Sequence, residues 1–181
     1  MPARVSYLQR NDDLHRRLIP EFTSPSVSPG NMACTVLAVQ PPSQTQTGQH
    51  LYPPVIAKLA SKGGSSGTQF FATAVLLDAS GNVVASLEGT KAVTGVLLDS
   101  CNIAFAFTDL TITLPGTYTI RLDMYAMSPG DAAGASLISQ VETSQITACQ
   151  GDIAPQRPSS TERDILRQAR DAGVPLPPSP R

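Results

Sequence analysis

Side chains able to do chemistry are few and dispersed. The chain holds two histidines, His15 and His50, and three cysteines, Cys34, Cys101 and Cys149. No Cys-x-x-Cys pair occurs and no cysteine stands at zinc-ligand spacing from a histidine, so the thiols read as reduced and buried, with no metal site or disulfide frame. No nucleophile elbow and no phosphate-cradling glycine loop accompanies them. The scattered Ser and Asp residues therefore read as turn and surface groups, and neither an enzyme nor a cofactor is expected. A different chemistry is on offer in SQTQTGQHL, residues 43–51, where Gln44, Gln46, Gln49 and His50 fall within seven positions. Glutamine amides can hydrogen-bond to base edges, adenine above all; the plainer use of the same residues is a solvated loop. Ser24-Pro25, Ser28-Pro29 and Ser179-Pro180 could accept proline-directed phosphorylation, each phosphate adding about two negative charges.

Charge limits what those groups can bind. Thirteen Lys and Arg stand against 14 Asp and Glu, and 15% of residues are charged where about 25% is usual. Between residues 33 and 150 the cations are Lys58, Lys62, Lys91 and Arg121, four against seven acids, a net charge of −3. Duplex DNA is held largely by phosphate neutralisation, so that stretch alone is short of donors. The remaining cations lie in the ends of the chain, and a basic patch would need Arg10, Arg16, Arg17, Arg163, Arg167 and Arg170 to converge, with Arg157 nearby.

The elements that must position these groups follow from periodicity. At 181 residues, with Leu, Ile, Val and Phe making up 43 of them, the chain can bury one core. Sixteen Pro, 13 Gly and no Trp favour short strands and turns. Apolar runs are only a few residues long, against the ~20 needed to span a bilayer, and the first residues lack the apolar stretch of a secretory signal; an intracellular, membrane-free protein is expected. Residues 1–32, rich in Pro and Ser toward their end, read as a tail; 33–174 as the domain; 175–181 as a second proline-rich tail. TVLAV, PPVIAKL, QFFATAVLL, VVASL, GTKAVTGVLL and IAFAF read as strands. In LTITLPGTYTIRLDMYAM, Leu110, Ile112 and Leu114, then Tyr118, Ile120, Leu122 and Met124, alternate with polar residues, which predicts two half-buried strands around a hairpin-like Pro115-Gly116 corner. Tyr118 stands where the tyrosine corner of immunoglobulin-like sandwiches falls, though simple core packing would also place a tyrosine there. A flexible SPGDAAGAS segment and a last strand around Ser144–Cys149 follow.

SSTERDILRQARDAG then carries the punctuation of a helix: Ser159 with Glu162 as a capping box, arginines toward the C-terminal end, and Gly173 and Pro175 as the stop. Its narrow apolar stripe includes Ile165 and Leu166, which should lie on the sheet or on a second subunit.

Taken in order, the blocks VLAVQPP (36–42), LYPPVIAKL (51–59), FFATAVLLDASGN (70–82), LEGTKAVTGVLLD (87–99), IAFAFTDLTITLPGTYTIRLDMYAM (103–127) and STERDILRQARDAGV (160–174) resemble the velvet domain of fungal regulatory proteins. The resemblance covers about 140 residues. It implies a mostly β, immunoglobulin-like and Rel-like β-sandwich with a short C-terminal helix. It further implies a nuclear protein with a cytoplasmic pool, dimerisation with itself or another velvet protein, control of development, sporulation and secondary metabolism, and contact with double-stranded DNA directly or through the partner. It implies no enzyme. The family's DNA-contacting loop is usually basic; here its position is taken by the segment with Gln44, Gln46, Gln49 and His50, which has no Lys or Arg. The family's basic segment after the last strand corresponds to CQGDIAPQRP, where only Arg157 is cationic. Arg163, Arg167 and Arg170 are further candidates for basic contacts, and Ile165 and Leu166 for a dimer seam. Two other readings stand beside this one: an interaction module of the same fold that has lost DNA contact, and a generic sandwich binding module, for which the absence of Trp is a poor endowment for stacking sugars.

Overall fold

A computed structural model describes residues 34–60, 67–130 and 134–178. His15, Arg10, Arg16, Arg17, Lys62, the predicted 1–32 tail and the three Ser-Pro sites lie wholly or partly outside the described residues. The chain is mostly β with one short helix near the C-terminus. In order, the strands are β1 (Cys34–Val39), β2 (Gln44–Gln46), β3 (Val55–Ala60), β4 (Gln69–Asp78), β5 (Val83–Val84), β6 (Leu87–Glu88) and β7 (Ala92–Thr94). They continue with β8 (Val96–Asp99), β9 (Asn102–Phe107), β10 (Thr111–Ile112), β11 (Gly116–Met127), β12 (Ala135–Glu142) and β13 (Ile146–Cys149), followed by helix α1 (Ser160–Asp171).

One sheet runs β1-β3-β9-β8; the other runs β2-β13-β11-β4-β5, with β12 on β11 and β7 on β4. β11 organises the larger sheet: one edge pairs along β4, and the other pairs first with β13 and then with β12. Period two in this ladder sends Ile120 with Leu76, Leu122 with Ala74 and Met124 with Ala72 to the inner face. There they meet Val55, Ala57 and Leu59 of β3 and Ile103, Phe105 and Phe107 of β9 in one buried cluster. The opposite face of the four-stranded sheet is covered as well. Val39, Ile56 and Ala104 pack under Leu166, Ala169 and Val174, so β3 is buried on both sides and its VIA run is uninterruptedly apolar. Leu176, placed in the tail from sequence, packs against the same cluster.

The corner at Pro115-Gly116 brings the first two of its residues' consequences together. The Tyr118 hydroxyl donates to the Pro115 carbonyl at 3.2 Å, the back-bond of a tyrosine corner. Gly116 has φ +155°, and a Cβ there would lie 2.8 Å from that hydroxyl oxygen, so the folded-back tyrosine requires the glycine.

Several expectations need correction. Leu114 does not face the core; it is 57% exposed, while Thr111 between Leu110 and Ile112 is buried. The reason is that β10 is only two residues long and belongs to neither large sheet. It is covered from both edges, by β6 on one side and by the backbone bonds Gly48 N to Ile112 O and Leu51 N to Leu110 O on the other. The corner is consequently a crossover and not a hairpin. An eight-residue strand, β12, where none was expected, begins with the last two residues of SPGDAAGAS. The cysteines are unpaired but not buried: Cys34 and Cys101 are exposed and Cys149 is half-buried, because they occupy the start of β1, the β8–β9 turn and the end of β13.

Candidate functional site

The segment after β1 crosses from one sheet to the other. Pro41 and Pro42 are buried at the crossing, and residues 44–46, expected as part of a loop, instead form β2, parallel to β13. Thr147 N to Ser43 O and Thr47 N to Cys149 O, both 2.9 Å, fasten the two ends of that pairing. Strand periodicity then separates the side chains. Thr45 turns in and is buried, and Gln44 and Gln46 lie on the opposite face. Gly48, with φ +78°, reverses the chain, and the buried Leu51 ends the excursion.

The result is a cavity of about 240 Å³ lined by Gln44, Gln46, Gln49 and His50, together with Pro42, Thr45, Tyr52 and residues 153–156. All four polar residues singled out from sequence therefore converge on one cleft. Its far wall is tied in place by Gln156, whose Oε1 accepts from Ser43 N at 3.0 Å and from Ser43 Oγ at 3.4 Å. His50 Nδ1 lies 3.1 Å from the Asp109 carbonyl oxygen and 3.1 Å from Thr111 Oγ1. A carbonyl only accepts, so Nδ1 is the donor in that contact. Behind it, burial works against the charge of Asp109, but the Thr90 hydroxyl at 2.7 Å and the Thr90 N–H at 3.0 Å outweigh burial and hold the carboxyl below its ordinary range.

The cleft contains no lysine, arginine or carboxylate. Its amides can exchange hydrogen bonds with neutral polar edges such as bases or peptide groups, and it offers no Lys or Arg to phosphate. The described cations of the sandwich are each engaged within it: Arg121 is held by Asp123 at 3.0 Å, Lys91 Nζ donates to the Leu87 carbonyl at 3.3 Å, and the Lys58 charge acts on Asp99. Arg163, Arg167 and Arg170 share one exposed face of α1 at i, i+4 and i+7, apart from the cleft lining, with Arg167 bonded to Asp164 at 2.7 Å. Arg157 is exposed ahead of the helix. Leu166 is 8% exposed against the chain's own sheet, and Ile165 packs beside it half-buried.

Sequence reasoning missed Tyr52 and Gln156. Gln156 joins the site from 113 positions away and nothing local marks it; Tyr52, beside a cis bond to Pro53, stood within the proline-rich lead-in to β3. Among the described residues no group of three His, Cys, Asp or Glu side chains could hold a metal ion, and no helix is long and apolar enough to cross a membrane. No family model and no curated protein matches the chain.

Proposed function

We propose that the chain is a velvet-type nuclear regulator of fungal development, sporulation and secondary metabolism. On this reading it is a non-enzymatic, immunoglobulin-like module that acts by dimerising and leaves most of the DNA contact to a velvet-domain partner. The observation that carries this reading is the strand order. The orders β1-β3-β9-β8 and β13-β11-β4-β5 support it by matching those of the A-B-E-D and G-F-C-C′ sheets of immunoglobulin-like domains, and Tyr118 makes its back-bond at the start of the strand that would be F. The order of the sequence blocks adds to it. Partner-mediated DNA contact is supported by the neutral cleft at the family's loop position and by the internal use of Arg121 and Lys91.

The test is retention of the full chain on an immobilised velvet-domain protein, with mobility shifts of duplex DNA at low salt by the chain alone and by the pair. Retention, with retardation by the pair and little by the chain alone, is the expected result. A strictly monomeric chain that retains no velvet-domain partner overturns the reading. If the pair forms and no duplex is retarded, the chain is the interaction module without DNA contact, a reading the same neutral cleft favours.

A further inference from the structure

We propose that the free edge of β12 is the seam through which two copies of this chain pair, antiparallel, into one continuous sheet. The inference rests on the dimerising reading above and names its surface.

The direction of the edge follows from one residue. Thr143 donates its N–H to the Ile120 carbonyl at 2.9 Å, and its Oγ1 accepts from Ile120 N at 3.0 Å. In an antiparallel ladder, bonded and non-bonded pairs alternate. Leu122 with Val141 and Met124 with Ser139 are thus the pairs that exchange backbone bonds; Arg121 with Glu142 and Asp123 with Gln140 are not. Gln140 and Glu142 therefore turn their N–H and C=O groups away from β11, and among the described residues no strand pairs with that side of β12.

Open edges are normally blunted by shortness, lysine, proline or a bulge. β12 is eight residues long and ASLISQVE has no Lys, Arg or Pro; its one such device is the bulge between its pairings to Met124 and Tyr125. Its composition also favours its own kind as the occupant. Glu142 is the one charge and lies at the end of the strand, so antiparallel pairing about the strand centre sets it opposite Ala135 of the second copy, and no like charges meet. The outward face beside the edge is polar at the Gln140–Glu142 end and apolar at the other. Leu137 is 48% exposed next to its register partner Tyr125, which stacks on Phe71 with ring centroids 5.0 Å apart, and Met127 is 40% exposed. In that register Leu137 lies opposite Gln140 of the second copy, so pairing covers part of its exposed side chain as the backbones join.

Analytical ultracentrifugation of the full chain and of Gln140→Ala and Gln140→Pro tests this. Both variants lose the Gln140 amide's 2.7 Å bond to Asp123 of β11; alanine keeps the outward N–H, and proline removes it while sparing the backbone bonds to β11. A concentration-dependent dimer is expected, with Gln140→Ala close to the parent. Gln140→Pro loses one hydrogen bond per copy and should weaken dimerisation about tenfold or more. Circular dichroism checks that both variants fold, and Leu137→Lys, at an exposed position, provides a second weakening variant should the proline disturb the strand. Hydrogen exchange at Gln140 and Glu142 should slow as concentration rises. Protection already complete in dilute solution would mean that the edge is covered within one copy, which overturns the proposal, as would a dimer insensitive to both Gln140→Pro and Leu137→Lys. In that last case, retention on a velvet-domain protein would leave the regulatory reading intact with its seam elsewhere. A chain monomeric at every concentration that also retains no partner sinks both.

Discussion

Gln40, the residue after β1, donates its backbone N–H to Glu162 Oε1 at 3.1 Å across 122 positions of sequence. The other carboxylate oxygen accepts from Ser159 N at 2.8 Å within the capping box, so one side chain both starts the helix and ties it to the sandwich. Gln40 continues the connection, its Oε1 accepting from Ser144 N at 3.1 Å. Burial raises the carboxyl's proton affinity, but the backbone bonds from Ser159 and Gln40 outweigh it and hold Glu162 below the usual glutamate range. A depressed native value contributes stability above the unfolded pKa that is lost as pH falls through the native one. Glu162→Ala should cost about 1–2 kcal/mol near neutral pH. Glu162→Gln, which keeps capping geometry, should cost less, and its deficit against the parent should shrink as the pH drops below the ordinary carboxylate range. Urea denaturation at several pH values measures this; a deficit constant through the acid range would show that the ionised carboxylate is not what holds the helix.

The tyrosine corner makes a separate demand on the turn. Tyr118→Phe removes the bond to the Pro115 carbonyl and should destabilise by about 1 kcal/mol. Gly116→Ala should cost more, because the added Cβ meets the Tyr118 ring and hydroxyl at 2.8–3.1 Å in a backbone conformation with φ +155°. Pairing Gly116→Ala with Tyr118→Ala should then recover part of the glycine penalty, since the clash is with that ring. Thermal melts of the single and double variants decide it, and strict additivity would mean that the ring is not what excludes the side chain.

What could be read from sequence, and what could not, divides along physical lines. Alternation over residues 116–127 and the capping signals around Ser159 are local, and both elements formed where expected. β12 escaped because a bulge between its pairings to Met124 and Tyr125 breaks the period of two: Ile138 and Val141, three apart, both pack toward the core. β2 escaped because Gln44 and Gln46 carry no apolar signal; what holds them is parallel pairing with a strand about 100 residues later. The polar residues of the cleft were legible as types in a cluster. Their convergence with Gln156 was not, since it depends on how residues 150–159 run back past Ser43.

The apolar stripe of α1 separates into unequal halves. Leu166 is buried against Val39, Ile56 and Ala104, whereas Ile165 is half-buried at its margin. Leu166→Ala should cost about 2–4 kcal/mol, and Ile165→Ala clearly less. Ile165→Asp should lower the melting temperature without changing the oligomeric state. A folded, stable monomer from Ile165→Asp, where the parent dimerises, would instead make the helix a subunit seam.

Electrostatics offers the most direct interrogation of the cleft. If its shortage of cations is what keeps this chain from gripping DNA unaided, then supplying them should restore binding. Gln44 is exposed and Gln46 half-exposed on the same face of β2, so lysine at both positions adds two charges with little effect on folding, because Thr45 alone faces inward. Each lysine that reaches a phosphate should steepen the slope of log affinity against log salt by about 0.9, and the pair by about two. Gln44→Lys/Gln46→Lys should accordingly retard a duplex at low salt that the parent does not, with the gain fading as salt rises. A double variant that binds no better than the parent, while remaining folded, would mean that this end of the sandwich does not face nucleic acid at all.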